Sequence, residues 1–206
     1  VRGVEASRDR QPHVTPAREP ALPLEGLKLV DGATLFAGPV IATMMGDFGA
    51  DVIKIEHPRG DNLRTLGWSK DGVSLWWALV GRNKRSGTLN LGHPKGGELA
   101  KRLLADADVF IEGFRPGTLE RWNLGPEMLR RVNPRLVLLR SSGFGQSGPF
   151  TARAAFNPVG LAFGGMTYLN GWPDRPPVPD GVTAGAYSTG LFLVPGVVAT
   201  LLRPDL

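Results

Sequence analysis

The sequence predicts an α/β domain: a Rossmann-like, mostly parallel sheet with helices on its faces. Three observations carry that expectation. Short β-type runs alternate with segments whose apolar residues recur at helical spacing. The first run, helix and run fit into about thirty residues, the length of a parallel crossover unit. Glycine and proline, 28 and 18 of 206 residues, gather at the joints between the runs and mark many turns, not a helical bundle.

Taken in order, Leu27-Lys28-Leu29-Val30-Asp31 reads as the first strand and leads into a glycine-containing turn. Pro39 suits a first helical position, and Val40, Ile41, Met44, Met45 and Phe48 follow at helical spacing. Gly49 is placed to end that helix in the left-handed conformation. Ala50 to Glu56 is the second strand. The alternation then repeats. A strand is expected at Thr88 to Leu91, a helix at Pro94 to Ala107 with Leu99, Leu103 and Leu104 inward, and strands at Asp108 to Glu112 and Arg135 to Ser141. Short helices around Thr118–Trp122 and Glu127–Val132 flank Gly125-Pro126. Beyond Ser141 come an apolar segment at about Val159–Leu169, the loop Gly171–Gly181, and a last helix. Residues 1–22 are polar and mixed in charge, without an apolar core of the secretory type, and are expected to form a disordered arm before a domain over 23–206.

The composition excludes several function classes. There are no cysteines, so disulfides, thiolate catalysis and cysteine-based zinc sites are ruled out; this agrees with a cytoplasmic setting, and no metal site is assigned. The apolar stretch from Thr189 to Leu202 is shorter than a membrane span and contains Pro195 and Gly196, so it is expected to be a kinked core helix, with no membrane partner. The net charge is +5, with basic clusters at Arg82, Lys84 and Arg85 and at Arg130, Arg131, Arg135 and Arg140. These suit phosphates or a solvated surface, and Lys84 and Arg85 equally suit pairing with sheet-edge acids. No nucleic-acid-binding motif accompanies them, and no nucleic acid partner is expected.

The first turn, Asp31-Gly32-Ala33-Thr34-Leu35-Phe36-Ala37-Gly38-Pro39, lacks the glycine fingerprint of a dinucleotide site, and no phosphate-binding loop of the ATPase type occurs. Other short motifs succeed one another along the chain: Leu24-Glu25-Gly26-Leu27; Ala37-Gly38-Pro39; Gly46-Asp47-Phe48-Gly49-Ala50-Asp51 running into Val52-Ile53-Lys54-Ile55-Glu56; then Pro58, Gly60-Asp61 and Arg64; Asn83-Lys84-Arg85-Ser86; Ala107 to Gly117, containing Glu112-Gly113-Phe114-Arg115-Pro116-Gly117; Asn133-Pro134-Arg135-Leu136; and Ser142-Gly143-Phe144-Gly145-Gln146-Ser147-Gly148-Pro149. In this order the set resembles the N-terminal part of the family III CoA-transferases, the CaiB/BaiF family. The resemblance implies an acyl-CoA and a carboxylic acid as substrates, with CoA as substrate and no tightly bound cofactor. The positions matching the family's CoA contacts are Leu35, Phe36, Ala37, His57, Leu89, Gly113, Phe114, Arg121 and Phe144, with Arg115 beside them. Phosphates call for Arg and Lys, and an adenine for an apolar or aromatic wall. Phe114 and Phe144 equally suit a core, and His57 before Pro58 an exposed turn.

The family carries its acyl group on an aspartate, which attacks the thioester, expels CoA thiolate and becomes a mixed anhydride. The chain reads Gly185-Ala186-Tyr187-Ser188-Thr189-Gly190 where the family pattern has aspartate before Tyr-Ser-Thr-Gly, so Ala186 holds the nucleophile's place. Asp180 and Asp174 are the nearest alternative acids, and Tyr187 and Ser188 have no base beside them. The related 2-methylacyl-CoA racemases need a histidine where this chain has Phe156-Asn157. The family's C-terminal small domain and glycine-rich loop find no match in this sequence, which leaves the fold incomplete relative to the family and the family's interlocked homodimer in question. Three readings stand: a CoA-transferase, whether or not this copy turns over; a silent CoA-binding relative or half of a split enzyme; or an unrelated α/β domain whose basic clusters bind another ligand.

Overall fold

The computed structural model describes residues 21–203, and most of the arm expected over 1–22 lies outside that range. Five parallel strands form the sheet: β1 (Lys28–Asp31), β2 (Asp51–Glu56), β5 (Lys84–Thr88), β6 (Val109–Glu112) and β7 (Val137–Arg140), in the order β5-β2-β1-β6-β7. A short hairpin of β3 (Ser69–Lys70) and β4 (Val73–Ser74) stands apart. The helices are α1 (Ala37–Asp47), α2 (Leu75–Val80), α3 (Pro94–Leu104), α4 (Thr118–Arg121), α5 (Pro126–Val132), α6 (Asn157–Phe163) and α7 (Ala184–Leu201).

Period-two alternation in the strands sends successive side chains to opposite faces. Leu29, Val52, Val109 and Ile111 meet Ile41 and Met45 of α1 and Val197 of α7. Val30, Ile55 and Phe110 face the other way, onto Ala100 and Leu104 of α3, Leu119 of α4 and Leu129 of α5. The sheet is thus covered on both faces, as parallel sheets require. Gly49 takes φ +102° directly after α1, as its position predicts, and brings the chain back to β2.

Three expectations need correction, and the apolar segment at Val159–Leu169, left without an assigned element, takes shape. The third strand is Lys84–Thr88, not Thr88–Leu91: an edge strand with one exposed face needs few apolar residues, and Leu89 and Leu91 pack on the α3-side core after the strand has ended. Leu99 points outward, 49% exposed, while Leu103 and Leu104 face the core. The segment Val159–Leu169 is helical only to Phe163, and of its larger apolar residues Leu161 is buried while Phe163, Met166, Tyr168 and Leu169 are exposed. The last helix starts at Ala184 and keeps Pro195 inside it; at 18 residues with mean hydropathy 1.4 it matches a membrane span in length and composition, so the length argument fails. Its place is set by packing. A β-carbon on Gly190 would stand 3.0 Å from Val40 Cγ1, so glycine allows α7 to lie close against α1, yet within α7 only Ala186, Gly190 and Val197 are buried.

Candidate functional site

In an open parallel sheet, ligands bind beyond the carboxyl ends of the strands, where the strand order reverses. Here the reversal lies between β1 and β6, since the chain builds β2 and β5 to one side of β1 and then crosses to β6 and β7. Every sequence-predicted contact residue falls on this edge except Arg121, which sits at the end of α4 just beyond it. Leu35, Phe36 and Ala37 follow β1, His57 follows β2, Leu89 follows β5, Gly113, Phe114 and Arg115 follow β6, and Phe144 follows β7.

Their surroundings differ. Leu35 holds a left-handed φ of +62°, and Phe36 meets Trp76 edge-on at 4.7 Å while packing on the Val40–Leu63–Val80 cluster. His57 is exposed, and its Nδ1 accepts the Arg59 N–H at 3.2 Å, the arrangement of a turn residue. Leu89 and Phe114 are half-buried on the α3-side core, and Phe114 meets Trp122 edge-on at 5.0 Å. Phe144 joins neither core; it packs with Phe150 and Phe163 at 5.7 and 5.3 Å. Arg115 is exposed, and its side chain makes no ion pair or hydrogen bond among the described residues.

A groove of about 630 Å³ opens between the start of α3 and the end of α4, lined by Leu91, Lys95, Leu99, Arg102, Arg121 and Trp122 among others. Of the ten predicted contact residues only Arg121 lines it, and Phe114 supports its wall through Trp122. Lys95, Leu99 and Arg102 stand at i, i+4 and i+7 on α3, one face of the helix. That spacing explains Leu99: it faces the groove, not the core. His93 caps the helix, its Nδ1 accepting the Lys95 N–H at 3.2 Å, and a β-carbon at Gly96 would overlap the Asn90 carbonyl, which fixes the entry to α3. Among the described residues, Lys95 and Arg102 make no side-chain ion pair, and the one side-chain bond of Arg121 is to Thr118 Oγ1 at 3.0 Å. Three cations without an ion pair among the described residues, an indole and two leucines therefore share one groove, with Glu98, paired to Lys101 at 2.7 Å, also on its lining. Lys95, Arg102 and Trp122 were absent from the sequence-based set; the shared helical face of Lys95 and Arg102 was the available signal.

The predicted basic cluster at 82–85 is neutralised instead. Arg82 grips Asp47 through two nitrogens at 3.0 and 2.6 Å, Arg85 Nη2 stands 2.7 Å from both Asp51 oxygens, and Lys84 Nζ is 2.9 Å from Asp31. Burial lowers the Lys84 pKa against the pull of Asp31. Beyond β2, Glu56 accepts two bonds from Arg64 at 2.7 Å, the Ser86 hydroxyl and the Asp61 N–H, and the Arg64 pairing leads in holding its pKa down to about 2. On the other side of the switch point, Glu112 binds Arg140 at 2.7 Å and the Phe114 N–H at 2.7 Å, but burial wins and its pKa is raised.

Position 186 lies in the first turn of α7. Ala186 is 7% exposed, and its N–H bonds the Thr183 carbonyl and Asn157 Oδ1, each at 3.1 Å. Tyr187, the next residue, packs on the same Val40–Leu63–Val80 cluster as Phe36, so the start of α7 adjoins the loop after β1. Asp180 lines a separate cavity of about 300 Å³ with Leu161, Met166 and Asn170.

The model of the family described as CoA-transferase family III matches residues 24–205. The chain belongs to that family. It is 49% identical to the succinyl-CoA–L-malate CoA-transferase beta subunit of Chloroflexus aurantiacus, covering 87% of this chain and 45% of that protein. With the human succinyl-CoA:glutarate CoA-transferase it shares 37% identity over 88% of this chain and 42% of the relative. Among solved structures, a CaiB/BaiF family protein from Brucella suis superposes with a TM-score of 0.84 at 38% identity, over 89% of this chain and 50% of that one. The chain thus spans a little under half the length of the curated relatives it matches. The family III fold accounts for the single parallel sheet and its reversal between β1 and β6.

Proposed function

We propose that this chain is the CoA-binding part of a family III CoA-transferase, and that the groove between α3 and α4 receives the phosphate-bearing end of an acyl-CoA. The observation that carries the reading is the meeting of Lys95, Arg102 and Arg121, none of them in an ion pair among the described residues, with Trp122 and Leu91 at the carboxyl side of the sheet. Unpaired cations suit a diphosphate and a ribose phosphate; an indole and a leucine suit an adenine face. From there the pantetheine arm would run along the strand ends, past Gly113 and Phe114, toward Leu35, Phe36 and Ala37 and the start of α7. His57, Leu89, Arg115 and Phe144 complete the set on this reading. The relatives' names point to succinyl-CoA as donor and to a dicarboxylic acid such as L-malate or glutarate as acceptor. A cytoplasmic, dimeric enzyme is the setting that goes with this reading.

Isothermal titration with CoA tests it. Replacing Arg121 or Lys95 by alanine is expected to weaken binding about tenfold each, the worth of one charge-assisted hydrogen bond. Dephospho-CoA, or CoA against the Arg102→Ala variant, is expected to show a similar loss. A parent chain with no affinity for CoA sinks the reading.

Ala186 favours a second element of the proposal: acyl transfer through an aspartyl anhydride is absent from this copy. A methyl group offers no oxygen to attack the thioester, and loss of a nucleophile costs several orders of magnitude in rate. The chain would then bind CoA thioesters without exchanging them, as a silent relative or as one part of a divided enzyme.

A further inference from the structure

The loop from Ala33 to Pro39 is held from below by four buried charges. Asp31 at the end of β1, Lys54 in β2 and Asp61 before the short turn at Asn62–Arg64 are each 5% exposed or less, and the Lys84 side chain of β5 is 2% exposed. Two acids and two ammonium groups balance within this cluster. Lys54 Nζ stands 3.6 Å from Asp31 and 3.3 Å from Asp61 Oδ2, an oxygen with no hydrogen bond of its own. What distinguishes the cluster is where its remaining bonds go. Asp31 Oδ1 accepts the Ala33 N–H at 3.1 Å, and Lys54 Nζ donates to the Ala33 carbonyl. Asp61 Oδ1 accepts the Leu35 N–H at 3.3 Å as well as the Leu63 N–H of the following turn at 2.9 Å, and Lys84 Nζ donates to the Pro39 carbonyl at 2.7 Å. Every member thus has a bond to the backbone of one short segment, the segment in which Leu35 takes φ +62°. A non-glycine residue keeps that conformation only where its surroundings over-determine it.

Buried ion pairs are weak sources of net stability, because desolvation offsets most of their attraction. Three of them, shared among four buried side chains beneath one strained loop, are better explained by what they position. We propose that Asp31, Lys54, Asp61 and Lys84 are positioning residues that preset the 33–39 loop in its binding shape, so that Leu35, Phe36 and Ala37 meet an acyl-CoA without a reordering step. This rests on the reading of the chain as a CoA-binding scaffold. Ordering a loop in advance lowers the cost of binding, and its loss appears as weaker affinity without loss of a direct contact.

The test pairs Asp61→Ala, which removes both acceptor and charge, with Asp61→Asn, which keeps an acceptor for Leu35. Amide hydrogen exchange and CoA titration are read on each. In Asp61→Ala the Leu35 amide is expected to lose about 100-fold in protection while the β6 amides keep theirs, the pattern of local and not global opening. CoA affinity is expected to fall about tenfold in Asp61→Ala and to return to within about threefold of the parent in Asp61→Asn, as a merely structural charge would not allow. Parent-like protection and affinity in Asp61→Ala overturn the proposal, and so does an Asp61→Asn chain that folds but is as impaired as the alanine variant. Should Asp61→Ala not fold, Asp61→Asn against the parent decides alone, by the same threefold margin. A parent chain that binds no CoA removes the functional reading instead, and the exchange data still judge whether the cluster holds the loop.

Discussion

Glu56 shows how one side chain ties the fold to pH. Its carboxylate lies against the Arg64 guanidinium, which in turn stacks 3.8 Å from the Trp77 ring centre, and its pKa falls from 4.5 to about 2. A group whose folded pKa is depressed adds stability that is present above its unfolded value and is lost as the pH falls toward the folded one. Urea unfolding between pH 6 and pH 2 is therefore expected to show a loss on the order of 2 kcal/mol that Glu56→Gln abolishes, a figure reduced from the full shift because Arg64 is partly exposed. Glu112 works in the opposite sense. Burial raises its pKa, so its contribution is present at low pH and declines as the pH rises through that raised value. Comparing parent and Glu56→Gln at each pH separates the two.

At the scale of the element, the contact of α7 with α1 decides where position 186 comes to rest. Gly190 sits one turn beyond Ala186, and a β-carbon there would stand 3.0 Å from Val40 Cγ1 and 3.6 Å from Met44 Sδ. Gly190→Ala asks its neighbours to give by tenths of an ångström. Gly190→Val forces α7 off α1 and is expected to cost about 1–3 kcal/mol in chemical denaturation, the range for overpacking. The Tyr187 contact with the cluster beneath Phe36 would loosen with it, so a weaker CoA affinity in Gly190→Val than in Gly190→Ala is the expected accompaniment. Equal affinities would separate the seat of α7 from the CoA site. Gly185 is constrained as well, since a β-carbon there would approach Asn157 Oδ1 to 2.9 Å and disturb its bond to the Ala186 N–H.

At the scale of the whole molecule, the described residues leave several large apolar side chains in the open: Phe192 is 82% exposed, Tyr168 82% and Trp172 64%. The curated relatives have roughly twice the length matched here. Joining this chain to the C-terminal half of the Chloroflexus beta subunit is expected to give a protein that binds succinyl-CoA without transferring CoA to L-malate. The same chimera carrying Ala186→Asp is expected to gain exchange by at least about a thousandfold over background, the scale of restoring a nucleophile. Exchange by the unaltered chimera would assign the nucleophile to another group, Asp180 being the first to replace.

What the sequence determined by itself is the alternation of strands and helices, the parallel sheet, the family, and the residue at position 186; the hairpin of β3 and β4 and the helix α2 went unpredicted. Those features are local or linear: apolar periodicity, glycine and proline at the joints, and ordered short motifs. The edge strand Lys84–Thr88 carries little apolar signal because a strand at a sheet margin needs little apolar character, and Leu99 shares its residue type, but not its helix face, with the core-facing Leu103 and Leu104. The tertiary structure alone decided which cations are free. Arg82, Lys84 and Arg85 are spent on Asp47, Asp31 and Asp51, residues 34 to 53 positions away in the chain, whereas Lys95, Arg102 and Arg121 come together around one groove. Charge pairing depends on distances across strands and helices, and linear spacing carries no record of it.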